Sequence, residues 1–218
     1  MLVIEAVLTA AEALVLHEAA RALPFGDGRA TAGVFARPVK ANDQALPSQD
    51  LDTLLTKVET ALAANSIFRS AARPKAMSRL ILSRYRNGQT YGPHVDDALM
   101  QGLRSDLAFT LFLADPATYD GGALIIEDRF EARAIKLGPG DLFLYPATTL
   151  HHVAPVTHGE RLAIVGWVQS LIRNADQRDL LFDLDLSVEA EFAAQGKTDQ
   201  FDRLAKTRAN LLRLWAEP

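Results

Sequence analysis

Within the 218-residue chain, Tyr91-Gly92-Pro93-His94-Val95-Asp96 sets a histidine and a carboxylate two residues apart, and His151-His152 returns later with Arg161 beyond it. Side chains alternate along a strand, so a His and an Asp at that spacing project from one face. A second His on a neighbouring strand would complete a three-ligand site. Two imidazoles and one carboxylate on one side of an ion leave its other side open, an arrangement suited to non-haem Fe(II) oxidation chemistry. The chain has no cysteine, so any metal must be held by His and carboxylate groups. A plainer alternative stays open on the residues alone. His-x-Asp is a short pattern, and His94 and Asp96 read equally well as polar residues at a strand end.

A β-rich middle flanked by helices must position these residues. Thr9-Ala10-Ala11-Glu12 is a capping box, predicting a helix over residues 10–22 that stops near Pro24. Residues 26–33 read as a turn-rich loop. Ser48 caps a second predicted helix over residues 49–64, with Leu51, Leu54, Leu55, Val58 and Leu62 as its apolar stripe. Residues 65–72 add a further helical turn. Residues 78–86 and 90–97 then read as a hairpin about Asn87-Gly88. Strands follow over 107–113, 123–127, 134–137 and 142–145, and 149–156 pairs with 161–170 about His158-Gly159. Short strands separated by Gly/Pro turns predict a sandwich or barrel, here a jelly roll. After Asn174 two amphipathic helices, broken near Gly196, are expected to pack on the barrel or partly on a second copy of the chain.

Composition narrows the partners. A net charge of −4 gives no footprint for nucleic acid or an acidic membrane. The segment Met1-Leu2-Val3-Ile4-Glu5 lacks a basic leader region and no apolar run approaches membrane-spanning length, so a cytoplasmic location is expected.

The longer motifs are more specific. Arg84-Tyr85, Gly88, Tyr91-Gly92-Pro93-His94-Val95-Asp96, Tyr119-Asp120-Gly121-Gly122 and Leu137-Gly138-Pro139-Gly140-Asp141 resemble the Fe(II)/2-oxoglutarate-dependent dioxygenases of the prolyl 4-hydroxylase superfamily. Tyr145-Pro146, Leu150-His151, Val153-Ala154-Pro155-Val156-Thr157, Gly159-Glu160-Arg161 and Trp167-Val168-Gln169-Ser170 are similar to its PKHD-type hydroxylase family. The likeness extends to residues 27–33, Val39-Lys40 with Asn42, and the helical tail. It implies an α+β fold with a mainly β core, a double-stranded β-helix (jelly roll) over residues 77–173. Residues 1–76 would support that core and 174–218 would extend it.

The resemblance also implies roles. His94, Asp96 and His151 would bind Fe(II), and Arg161 would take the distal carboxylate of 2-oxoglutarate, which guanidinium grips as a fork. Strand parity cannot choose between His151 and His152; the family pattern Leu-His-x-Val-x-Pro-Val chooses His151. Tyr85 resembles the tyrosine that hydrogen-bonds the co-substrate. Thr110 and Trp167 read as inward packing, Tyr91 and Arg104 as weaker substrate-side candidates. His17 and His158 read as solvated. The implied reaction couples decarboxylation of 2-oxoglutarate to succinate with hydroxylation of an unidentified substrate, using dioxygen and L-ascorbate as auxiliary reductant. Asp96 keeps the position that a halide would need, which favours hydroxylation over halogenation. Relatives tied to iron acquisition suggest a siderophore or small iron-uptake metabolite. Rival readings are a non-catalytic sensor of iron and 2-oxoglutarate, and a cupin-like isomerase or hydrolase that gives Arg161 no purpose.

Overall fold

The computed structural model describes residues 1–127 and 130–217; Pro218, the end of the expected tail, lies outside the described residues. Two antiparallel sheets form the jelly roll. The larger runs Leu2–Ile4, Leu142–Pro146, Leu107–Phe112, Glu160–Ser170, Ile81–Arg86, Asp43–Ala45 and Phe25–Asp27, with Pro74–Met77 also on the Glu160–Ser170 strand. The smaller runs Ala132–Ile135, Leu124–Glu127, His151–Val153, Thr90–His94 and Lys40–Ala41.

Helices back the larger sheet. The helices α1 (Ala10–Arg21), α2 (Gln49–Ala64) and α3 (Ser66–Ala72) start where local chemistry dictates. Thr9 and Glu12 cap one another, Ser48 accepts from Leu51 N, and Asn65 accepts from Phe68 N. Leu54, Val58 and Leu62 of α2 and Phe68 of α3 enter the core, with Phe68 edge-on to Phe109 at 5.7 Å. The strand Leu107–Phe112 is therefore buried on both faces, with helices on one side and the space between the sheets on the other.

Both predicted hairpins are absent. Residues on either side of Asn87-Gly88 enter different sheets, and so do those on either side of Gly159. The two segments pair with each other instead. Glu160 lies opposite Arg86 and Val165 opposite Ile81 in the larger sheet, while His151 lies opposite His94 in the smaller. Gly88 N donates to Val156 O and Val156 N to Gln89 O where the ribbon crosses over. The turn chemistry was visible in sequence, but pairing across some seventy positions was not, since it is set by burial of both faces. Glycine is required at position 159, where φ is 73° and a Cβ would meet Thr118 O at 2.2 Å.

Two further expectations need correction. Residues 26–33 are not a bare loop: Phe25–Asp27 pairs with Asp43–Ala45, and a 3-10 turn over Gly28–Thr31 follows, capped by Asp27. The tail forms α4 (Ala175–Gln195) and α5 (Asp199–Trp215), but its apolar residues are not uniformly buried. Leu181 is buried, whereas Leu180, Phe192 and Leu214 are exposed. Docking rests instead on Asp185 of α4, which receives Arg73 at 2.7 Å and also contacts Ser70 and Arg208. Among the described residues no helix is long and apolar enough to cross a membrane.

Candidate metal centre and its cavity

The bent ribbon delivers the chemistry-bearing residues to the space between the sheets. His94 ends the strand Thr90–His94, Asp96 follows it, and His151 begins the facing strand. One ligand atom from each falls within 4.8 Å of the others, and His151 Nε2 is 3.9 Å from Asp96 Oδ1. Among the described residues this is the only such His/Asp/Glu cluster.

Both imidazoles are aimed. His94 Nδ1 donates to Gly92 O at 2.8 Å and His151 Nδ1 to Thr149 O at 2.9 Å. A carbonyl can only accept, so Nδ1 carries a proton in each ring and each Nε2 faces the site, free to offer its lone pair to a metal. Tyr91 stacks on His94 at 3.6 Å and Tyr145 meets His151 edge-on at 5.2 Å, fixing both rings. Burial, then the neighbouring His151, pushes His94 down to about 3, so it is neutral at ordinary pH. Burial raises the Asp96 carboxyl, against the opposing pull of His151. Asp96 Oδ2 is buried without a hydrogen-bond partner. A buried carboxylate oxygen left unpaired beside two directed lone pairs fits a cation.

His152 points elsewhere. It lies opposite Ile125 in the sheet and 3.4 Å from Glu127 Oε1, outside the cluster.

Arg161 sits on the larger sheet opposite Tyr85. It is 1% exposed, its Nε lacks a partner, and it forms no ion pair among the described residues. Its guanidinium carbon lies 5.3 Å from the Tyr85 and Phe112 ring centres. The Tyr119 hydroxyl is buried and unpartnered as well. Burying a cation without an acid is costly unless a ligand completes it. Gly122 makes room, since a Cβ there would meet Arg161 Cδ at 3.2 Å and Tyr119 Cε2 at 3.0 Å. Burial pushes the Tyr85 phenol up to about 12 and Tyr145 well up, so both stay protonated donors.

One cavity between the sheets is lined by His94, Asp96, His151, Arg161 and Tyr85 together. Thr110, Trp167 and Tyr91 also line it, so Thr110 and Trp167 do more than fill the core. Arg104 does not; it is held by Asp106 at 2.8 Å and Glu217 at 3.1 Å. His17 contacts Glu18 at 3.3 Å, and His158 is the exposed end of a short strand and not a turn residue. Sequence reading assigned no role to Lys40, which is 7% exposed on the cavity wall. Its only signal was a lysine within the Val39-Lys40 motif, with nothing local to mark burial.

Comparison with known proteins agrees with this architecture. Residues 80–169 match the 2OG-Fe(II) oxygenase superfamily and residues 176–217 the PKHD-type hydroxylase C-terminal domain. A PKHD-type hydroxylase of Maricaulis maris is 54% identical over 193 residues, covering 88% of both chains. Another, from Synechococcus elongatus, is 47% identical over 222 residues, covering 100% of both. In fold, a Pseudomonas putida prolyl-4-hydroxylase aligns with a TM-score of 0.55 at 17% identity, over 78% of this chain and 91% of that one. A Trichoplax adhaerens prolyl hydroxylase solved with a hypoxia inducible factor peptide aligns at 0.56 and 14% identity, covering 82% and 86%. Identity of about half along nearly the whole length decides kinship: the chain belongs to the PKHD-type hydroxylase family of Fe(II)- and 2-oxoglutarate-dependent oxygenases.

Proposed function

We propose that His94, Asp96 and His151 hold the Fe(II), and that Arg161 receives the distal carboxylate of 2-oxoglutarate with Tyr85 as a donor beside it. The enzyme then hydroxylates a small metabolite connected with iron uptake. One observation carries the reading. A cluster of two aimed imidazoles and a carboxylate shares its cavity with a buried arginine that has no acid of its own. Iron needs the first and a dicarboxylate needs the second.

Together Fe(II) and 2-oxoglutarate supply the oxidation: dioxygen and 2-oxoglutarate become succinate and CO2, and one oxygen enters a substrate C–H bond as hydroxyl. The chain's own work is orientation and shielding. The carbonyls of Gly92 and Thr149 hold both Nε2 atoms on target. Asp96 would supply its carboxylate as a metal ligand where a halide would otherwise bind, which favours hydroxylation. Arg161 and Tyr85 would hold the co-substrate's distal end from the larger sheet, while His94, Asp96 and His151 would hold the metal from the smaller. L-ascorbate as reductant and the iron-uptake link rest on family resemblance, and a cytoplasmic setting on the composition of the sequence.

The test is substrate-dependent succinate formation. Purified enzyme with Fe(II), ascorbate and 2-oxoglutarate is screened against siderophores and small iron-uptake metabolites. A hydroxylated product equimolar with succinate is expected. If the loaded enzyme binds 2-oxoglutarate but never forms succinate beyond the substrate-free level, the sensor reading replaces this one.

A further inference from the structure

Lys40 is the unexplained charge of the cavity. It lies on the strand Lys40–Ala41, the outer edge of the smaller sheet, next to the strand that carries His94. Arg161 projects from the other sheet, so the two cations occupy separate walls of one cavity. Lys40 Nζ donates to Thr31 Oγ1 at 3.0 Å, and Thr31 in turn donates to Gln44 Oε1 at 2.9 Å. A second face of the ammonium lies over the Tyr91 ring, 4.8 Å from its centre. Both contacts are with neutral groups. Among the described residues no carboxylate lies within ion-pair distance of it.

An ammonium carries three donors, and here at least one is left for the cavity. Lysine is rarely buried without an acid, because desolvation penalises the charge heavily. Burial accordingly lowers its pKa to about 8, with Asp96 and Asp27 pulling the other way. It is still mainly protonated at neutral pH. The cavity lining is mainly apolar, including Ala36, Val95 and Met100, with Thr31, Gln44 and Asp97 among its polar members. A lysine head in a mainly apolar recess is how a protein orients one anionic group on a largely carbon ligand.

Building on the functional reading above, we infer that Lys40 is a substrate-binding residue. It selects substrates that carry an anionic oxygen group, a carboxylate or a phosphate, and anchors that group on the wall away from Arg161. The co-substrate's distal carboxylate already has Arg161, which leaves Lys40 for the molecule to be hydroxylated. The Tyr91 ring beneath Lys40 also stacks on His94, so the anchored group is held on the ligand side of the cavity.

The experiment compares wild type with Lys40→Met, Lys40→Gln and Lys40→Arg. Each is loaded anaerobically with Fe(II) and 2-oxoglutarate, then titrated with benzoate, phenyl phosphate and benzamide. Binding is read from the perturbed absorption of the iron complex, and folding from thermal melting. At least one of the two anions should bind wild type tenfold or more tighter than Lys40→Met and Lys40→Gln, with most affinity kept by Lys40→Arg. The anion with the larger ratio identifies the group. Benzamide should not distinguish the variants, and 2-oxoglutarate affinity should be unchanged in all. Lys40→Gln keeps a donor to Thr31, so it reports on charge even if Lys40→Met melts early. Equal anion affinity in wild type and Lys40→Gln, or no anion binding at all, overturns the inference and leaves Lys40 a structural cation on Tyr91. A wild type that forms no iron–2-oxoglutarate absorption fails differently: it overturns the functional reading first, and this inference with it.

Discussion

Replacing Arg161 with methionine separates a ligand-binding arginine from a structural one. The side chain is 1% exposed and has no carboxylate partner among the described residues. In the co-substrate complex its removal strands a dicarboxylate in a dry pocket, and truncating one member of a buried charge pair costs about 2–5 kcal/mol. At about 1.4 kcal/mol per decade that weakens 2-oxoglutarate binding by roughly 30- to 4,000-fold. Free of ligand, the balance reverses. An unmatched buried cation is exchanged for an apolar chain against Phe112 and Tyr85; replacing even a paired set of buried charges by apolar residues is often neutral or stabilising by about 1–4 kcal/mol. At about 2–4 °C per kcal/mol for a chain of this size, Tm should hold or rise by several degrees. Calorimetric titration with 2-oxoglutarate and a melting curve of the ligand-free protein measure both quantities. Fe(II) affinity should change little. The reasoning is refuted if 2-oxoglutarate binds the variant as tightly as wild type, or if the ligand-free variant melts far below it.

Other expectations follow from the same geometry. His151→Ala should abolish Fe(II) binding and turnover, whereas His152→Ala should keep most of each; equilibrium dialysis of Fe(II) with each variant decides, and the reverse result would move the third ligand by one residue. Asp185→Ala leaves buried Arg73 without its acid, along with the partly exposed Arg208, and should cost about 3–5 kcal/mol; urea unfolding together with proteolysis of the tail would register it, and an unchanged midpoint would contradict the docking described. Tyr85 sits at about 12 in the fold against 10 unfolded, so its contribution is complete below pH 10 and is lost as pH rises from 10 toward 12. Tyr85→Phe should flatten that alkaline limb by up to about 2–3 kcal/mol, measured as Tm against pH between 9 and 12.

What could be read in advance depended on how local its cause was. The caps at Thr9 and Ser48 act within one turn, and those helices start where the sequence places them. Strand content and the jelly-roll class were also legible, from alternation and turns. Partnership was not. Asn87-Gly88 carries the signature of a two-residue hairpin and has its positive φ values, 52° and 81°, yet it turns the chain into the opposite sheet. Only the burial of both Thr90–His94 and Ile81–Arg86 against segments far downstream selects that outcome. The candidate ligands were legible because spacing and family motif coincide at His94, Asp96 and His151. Lys40 and the Arg73–Asp185 cluster were not, because each depends on residues distant in the chain that bury a charge.

The crossing ribbon also acts as a ruler. His94 and His151 stand on one sheet and Arg161 on the other, joined by tight glycine turns and not by long loops. The gap between metal ligands and guanidinium is thus fixed by the spacing of two packed sheets, roughly 10 Å, which side-chain filling holds rigid. A loop-borne arginine could slide to meet a longer or shorter diacid. One embedded in a strand flanked on both sides by hydrogen-bonded neighbours cannot, since moving it would require slipping the register of the whole core. With Arg161 as the proposed carboxylate anchor, length selection among keto-diacids would be a property of the scaffold itself: one methylene more, as in 2-oxoadipate, would have no compliant wall to push against.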